Sequence, residues 1–145
     1  MITIVSCSHY PDDERIYHKE IKTLTEKKYS INYFTLSSSE QNLSDKYINH
    51  INYSSAKYSI KEYMDLVELR TRETPTKVVH IHEPELFSLA VNIKKMIGAK
   101  IIYDVHEDYI SMIYTFSRWN KYVKYLRSKY WLFKEKNFLK KVDEI

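Results

Sequence analysis

Apolar residues along this chain fall into short β-branched runs, separated by stretches where they recur every three or four positions. The first run, Ile2 to Cys7, predicts a strand that ends in the polar loop Ser8-His9-Tyr10-Pro11-Asp12-Asp13. Ile16, Glu20, Ile21 and Leu24 follow at near-helical spacing, with Asp12, Asp13 and Glu14 at the positive end of the predicted helix dipole. Ser30 to Leu36 predicts a second strand and Tyr47 to Tyr53 a weaker third, with a polar loop from Ser37 to Asn42 between them. Residues 58–72 carry Tyr63, Leu66, Val67 and Arg70 at helical spacing, and Thr74-Pro75 ends that helix. Lys77 to His82 predicts a fourth strand. Pro84 opens a helix whose buried face is Leu86, Leu89, Ala90, Ile93 and Ile97, and Gly98 closes it. Lys100 to Val105 predicts a fifth strand, followed by the charged corner His106-Glu107-Asp108. The remainder is helical in tendency until Val142-Asp143-Glu144-Ile145, which reads as the opening of a further strand.

Strands alternating with helices imply an α/β fold, a Rossmann-like doubly wound parallel sheet covered on both faces. The usual order of such a sheet is 3-2-1-4-5, which puts strand one beside strand four with the switch point between them. Ligands of these sheets sit at the carboxyl ends of the strands, beside that switch. The expected organisation is one domain over residues 1–145.

Composition narrows the chemistry. Gly98 is the sole glycine of 145 residues, so neither a G-x-G-x-x-G fingerprint nor a P-loop can be built here. Cys7 is the sole cysteine, which excludes an internal disulfide and fits a reducing compartment. The start lacks the basic region and the small-residue cleavage site of a signal peptide, and no apolar run approaches the roughly 18 residues of a membrane span. The expectation is a cytoplasmic protein, either soluble or attached to the inner face of the cell membrane. The net charge of +4 is unevenly spread. Residues 109–145 hold nine Lys and Arg against Glu135, Asp143 and Glu144, whereas the first 108 hold fourteen bases against sixteen acids.

The polar residues concentrate where the fold rule directs attention. His9, Asp12, Asp13 and Arg15 follow the first strand; His82, Glu83 and Glu85 follow the fourth; His106, Glu107 and Asp108 follow the fifth. Alternation along a strand puts His80 with His82 on one face, and Asp104 with His106. Three neighbouring loops should therefore converge on one cleft rim. Each residue also has a plainer reading. Asp12 and Asp13 can cap a helix, worth about 0.5–2 kcal/mol; Arg15 can hold one of them; Glu83 and Glu85 can answer the next helix dipole; His80 can be a core histidine. Histidines and carboxylates at strand ends can also bind zinc or manganese. No helical H-E-x-x-H occurs, however, and the two histidine corners come from separate strands, so no metal ligand is assigned. The lack of a G-x-S-x-G elbow argues against a serine hydrolase.

Three segments carry a family resemblance. Pro11-Asp12-Asp13-Glu14-Arg15-Ile16-Tyr17-His18-Lys19-Glu20, with Leu24 beyond it, resembles the D-x-R-I-x-x-K-E-x-x-x-L opening of many family-4 glycosyltransferases. His80-Ile81-His82-Glu83-Pro84-Glu85-Leu86 resembles their H-x-H-[DE]-P-E-L, and Tyr103-Asp104-Val105-His106-Glu107-Asp108-Tyr109 their Y-D-x-H-E-D-Y. The resemblance implies the acceptor-side, amino-terminal half of a two-domain GT-B enzyme, with the donor-binding half lying outside this chain. It implies a retaining reaction that needs no metal or other cofactor, with a nucleotide-diphosphate sugar as donor. The acceptor would be a glycan or lipid-linked molecule of cell-surface polysaccharide synthesis. By the same resemblance His106 is the catalytic residue, hydrogen-bonding the transferred sugar near its anomeric centre. Arg15 lies near acceptor or diphosphate, Glu107 and Asp108 shape the acceptor pocket, and His82, Glu83 and Glu85 support its floor, with Asp13 in the adjoining loop. Many relatives place glycines in the first loop where this chain has Ser8-His9-Tyr10.

Beyond Tyr109 aromatic residues interleave with the nine bases. Trp119, Tyr122, Val123, Leu126 and Tyr130 recur at helical spacing, with Lys121, Lys124 and Arg127 mostly off that stripe and Trp131 beside it. Such a helix can lie on an anionic membrane, or it can pack its stripe onto the sheet. Alternatives to a transferase are a noncatalytic partner domain, a basic aromatic nucleic-acid binder, and a sugar-nucleotide epimerase of the same fold. No nucleic-acid motif accompanies the bases, so nucleic acid is not expected as a partner.

Overall fold

The computed structural model describes residues 1–105 and 109–145. Five strands form one parallel sheet in the order β3-β2-β1-β4-β5, as the alternation of elements predicts. They are β1 (Ile2–Ser6), β2 (Ile31–Ser37), β3 (Ile48–Ser54), β4 (Val78–Ile81) and β5 (Lys100–Tyr103). Ile4 of β1 lies opposite Tyr33 on one side and His80 on the other, so the switch point falls between β1 and β4.

Alternation divides the core in two. Val5, Phe34, Val79, Ile81 and Ile101 turn toward helices α2 (Ile60–Arg72) and α3 (Phe87–Ile97), where Tyr63, Val67, Leu89 and Ile93 meet them. Ile4, Ile31 and Tyr33 turn the other way, onto Ile16 and Ile21. Each such side chain removed from water stabilises the fold by about 1.5–3 kcal/mol. Local signals end the helices. Ser59 and Glu62 form a reciprocal capping box at the start of α2, and Gly98 ends α3 with φ 71°, a left-handed turn that side chains resist.

One element departs from the sequence reading. The segment after β1 opens as a π-helical turn, Ile16–Ile21, before a single α-helical turn, α1 (Lys22–Glu26). Asp13 accounts for this: its backbone carbonyl accepts from both Tyr17 and His18, while its carboxylate takes the amides of Arg15 and Ile16. An extra residue is thereby drawn into the turn. The carboxy-terminal stretch is two helices, α4 (Tyr109–Phe116) and α5 (Lys121–Leu139), broken where Asn120 caps α5.

Where a further strand is predicted, one isolated bridge forms. Glu144 bridges Ile102 in parallel, and Asp143 accepts the Ile101 amide while receiving Lys94 Nζ at 2.7 Å. That lysine holds the Asp143 carboxyl below its ordinary range. No helix among the described residues is long and apolar enough to cross a membrane.

Candidate functional site

The loops after β1, β4 and β5 meet at the carboxyl end of the sheet, in two adjoining clusters. The first is built around Glu83, which follows β4 and is buried. Its Oε1 accepts from Ser6 Oγ at 2.7 Å, from the amides of Cys7 and Ser8 at 3.1 Å each, and from Ser8 Oγ at 3.0 Å. Two successive amides turned to one anion form a nest, and here the protein's own carboxylate fills it. Buried Tyr63 fixes the same corner by donating to the Ser6 carbonyl at 2.9 Å. His9 Nε2 lies 3.8 Å from Glu83, and His9 Nδ1 lies 3.1 Å from Asp13 Oδ2. Burial opposes ionisation of Asp13, but the amides of Ile16 and Arg15 and the neighbouring His9 outweigh it and hold the carboxyl below its ordinary range.

The second cluster lies on the face covered by the π-helical turn. Arg15 Nη2 donates to Asp104 Oδ1 at 2.6 Å, and Arg15 Nε approaches Glu20 Oε1 at 3.4 Å. One guanidinium thus joins the segment after β1 to the end of β5. The other carboxylate oxygens turn inward to His82, whose side chain has no solvent exposure: Asp104 Oδ2 lies 3.4 Å from Nδ1 and Glu20 Oε2 lies 3.6 Å from Nε2. His80 stacks at 4.5 Å on His82 and places Nδ1 3.9 Å from Glu20 Oε2. Burial raises the Glu20 carboxyl above its ordinary range and the facing Asp104 raises it further, against the opposing pull of His82 and Arg15.

The site residues expected from the sequence distribute as follows. Asp13 and Glu83 fall in the first cluster, linked through His9, and Arg15 and His82 in the second, linked through Glu20 and Asp104. Glu85 instead lines a groove of about 340 Å³ between α3 and α5, with Phe87, Phe133 and Phe138. His106, Glu107 and Asp108 lie outside the described residues. Asp13 fills the capping role weighed for it. Arg15, in contrast, pairs with Glu20 and Asp104 rather than with an acid of its own loop. Sequence reasoning missed Glu20, Asp104, Ser6 and Ser8 as members of the site. One signal was present: Glu20 sits on the apolar stripe with Ile16, Ile21 and Leu24, where a carboxylate needs a polar partner beneath it.

An open depression of about 240 Å³ adjoins the first cluster, lined by Ser8, His9, Tyr10, Ser37, Ser38 and Ser55. Cys7 at its edge is no nucleophile, since burial and the nearby Glu83 and Glu85 push its thiol far above the ordinary range.

The aromatic stripe expected on α5 is largely uncovered: Tyr122 is 70% exposed, Leu126 67% and Tyr130 52%. Among the described residues α5 buries Ser128 and Phe138, the latter stacked at 3.9 Å on Phe87. The bases sit against aromatic rings, Arg127 over Trp119 at 4.0 Å and Lys134 over Tyr130 and Trp131, so charge and apolar surface interleave around the helix. Comparison of the chain with protein-family models and with curated proteins gives no match.

Proposed function

We propose that this chain is the acceptor-side domain of a GT-B-type glycosyltransferase, acting with a separate donor-binding half on a nucleotide-diphosphate sugar. The observation that carries the reading is the joining of three loops at the switch-point end of the sheet, through Glu83 to Ser8 and through Arg15 to Asp104. Those loops hold the three segments that resemble family-4 enzymes, and a cleft wall needs them rigid relative to one another.

Glycosyl transfer develops positive charge on the sugar and negative charge on the leaving diphosphate. Fixed hydrogen bonds and dipoles stabilise both best when they need no rearrangement during the reaction. In this reading His106 hydrogen-bonds the transferred sugar, and Arg15, held by Asp104 and Glu20, offers its exposed edge to the acceptor side. Glu107 and Asp108 border the acceptor. Glu83 keeps the first loop in place, and its occupation of the Cys7 and Ser8 amides leaves the diphosphate to cationic groups of the other half. The chain alone transfers no sugar. The acceptor is a glycan or a lipid-linked molecule, and the uncovered aromatic and basic surface of α5 supports docking of the domain on an anionic membrane.

The experiment is to read the coding sequence downstream of Ile145. A second Rossmann-like half with an E-x-x-x-x-x-x-x-E segment is expected there; an unrelated or absent sequence removes the transferase reading. Membrane docking is tested separately by vesicle flotation. Binding to phosphatidylglycerol-containing vesicles, none to pure phosphatidylcholine, and loss in Lys124→Glu/Arg127→Glu are expected. Failure to float with either vesicle ends the membrane reading alone.

A further inference from the structure

Glu20, His80, His82 and Asp104 each offer one donor atom, and these four atoms all lie within 4.8 Å of one another. They come from three separate pieces of chain: the π-helical turn, β4 with the residue after it, and the residue after β5. Two imidazoles and two carboxylates form a nitrogen and oxygen set suited to zinc and its neighbours in the first transition row, and unsuited to magnesium or calcium, which take oxygen alone. We propose that this cluster is a structural binding site for a divalent transition metal, zinc being the natural occupant of such a set. The inference is independent of the glycosyltransferase reading.

The spacing carries it. His80 Nδ1 and His82 Nε2 lie 3.9 and 3.6 Å from Glu20 Oε2, and His82 Nδ1 lies 3.4 Å from Asp104 Oδ2. A tetrahedral zinc with bonds of about 2.0–2.1 Å holds its ligand atoms roughly 3.4 Å apart. The four donor atoms, one from each residue, lie within 4.8 Å of one another, so inward shifts of up to about an ångström, with His82 committing one of its two ring nitrogens, convert the arrangement into a coordination shell. His82 is shut off from solvent, and among the described residues no hydrogen bond is formed to the buried Glu20 Oε2.

The outer surroundings fit as well. Arg15 takes Oδ1 of Asp104 and Oε1 of Glu20, which leaves Oδ2 and Oε2 directed inward. A charged donor on the far oxygen of a ligating carboxylate is the usual means of orienting it. The π-helical turn has a purpose in this picture, since an inserted residue in a helix is a recurrent way to aim a functional side chain, and Glu20 lies within it. Four protein ligands leave no open position for water or substrate. The ion would act as a clasp, tying the segment after β1 to the ends of β4 and β5, rather than as a catalyst.

The test uses the whole chain, stripped with a chelator and titrated calorimetrically with zinc sulfate at pH 7. Cobalt(II) provides a visible-absorption readout of coordination. One zinc per chain, a thermal midpoint that rises with zinc, and the absorption of four-coordinate cobalt are expected. His80→Gln and Asp104→Asn should each weaken zinc at least about 10-fold, whereas His18→Gln, on the exposed side of the same turn, should leave it unchanged. Both test positions lie at the partly exposed rim of the cluster, and circular dichroism confirms folding. If one variant fails to fold, the other decides. Absence of saturable zinc uptake by the wild-type chain overturns the proposal, as does uptake of equal strength in the folded variants.

Discussion

Replacing Glu83 by alanine removes the one acceptor shared by Ser6 Oγ, Ser8 Oγ and the amides of Cys7 and Ser8. The two hydroxyls differ. Ser6 is fully buried and cannot turn to water, whereas Ser8 is exposed and can. The Cys7 amide is half-buried and fixed by the strand end. An orphaned buried donor costs about 1–3 kcal/mol, and removal of a buried charge recovers part of its desolvation. The expected loss for Glu83→Ala is therefore about 2–4 kcal/mol. With a urea dependence of about 1.5 kcal/mol per molar, that moves the unfolding midpoint down by roughly 2 M. Glu83→Gln keeps an oxygen in the nest without its charge and should lose about half as much. Emptying the nest also creates an anion site, so sulfate should restore stability to Glu83→Ala more than it raises the wild type. A Glu83→Ala chain within about 0.5 kcal/mol of wild type, with no preferential response to sulfate, would refute the claim that Glu83 holds the first loop.

Three further outcomes are expected. Burial pushes the His50 imidazole down to about 4 from 6.5, with Nδ1 accepting the Leu43 amide and Nε2 facing Thr35 Oγ1. Since the folded value lies below the unfolded one, the unfolded chain binds more protons across that window. Stability should fall by about 1–3 kcal/mol as pH drops from 6.5 to 4, and His50→Gln should flatten this dependence in pH-resolved urea melts. Gly98→Ala should cost about 1 kcal/mol, a thermal shift of about 3 °C, because its φ is strained while its added Cβ would meet open space. A double-mutant cycle on Arg15 and Asp104 in chelator-treated protein should give a coupling of about 0.5–1.5 kcal/mol that shrinks with salt; zero coupling would mean that the 2.6 Å contact contributes nothing to joining these segments.

The sheet was legible in the sequence because its inner strands β1 and β2 are near-continuous apolar runs bounded by polar loops, whereas the edge strand β3, largely only partly buried, gave the weaker signal. The parallel bridge of Glu144 to Ile102 lies within the stretch read as the opening of a further strand. The site was legible only in outline. That polar residues gather after β1, β4 and β5 follows from the fold rule, but which acid meets which base depends on side-chain reach. Arg15 crosses to Asp104, 89 residues away in the chain, and no local pattern encodes that. The π-helical turn escaped for a similar reason, since it depends on Asp13 bonding amides of the following turn rather than on residue spacing. On α5 the helix was read correctly, yet helical spacing is the same for a packed stripe and an uncovered one. The sequence therefore offered both outcomes, and only the exposure of Tyr122, Leu126 and Tyr130 distinguishes them.

The acceptor-side reading is tested most directly by measuring sugar transfer from a panel of nucleotide-diphosphate sugars, using this chain alone and joined to a donor-binding half. The account predicts no turnover by the chain alone and turnover by the joined protein. His106→Ala and Arg15→Ala should lower the joined activity by about 100-fold or more, with thermal melts showing that both variants remain folded. Turnover by the chain alone, or undiminished transfer in both folded variants, would contradict it.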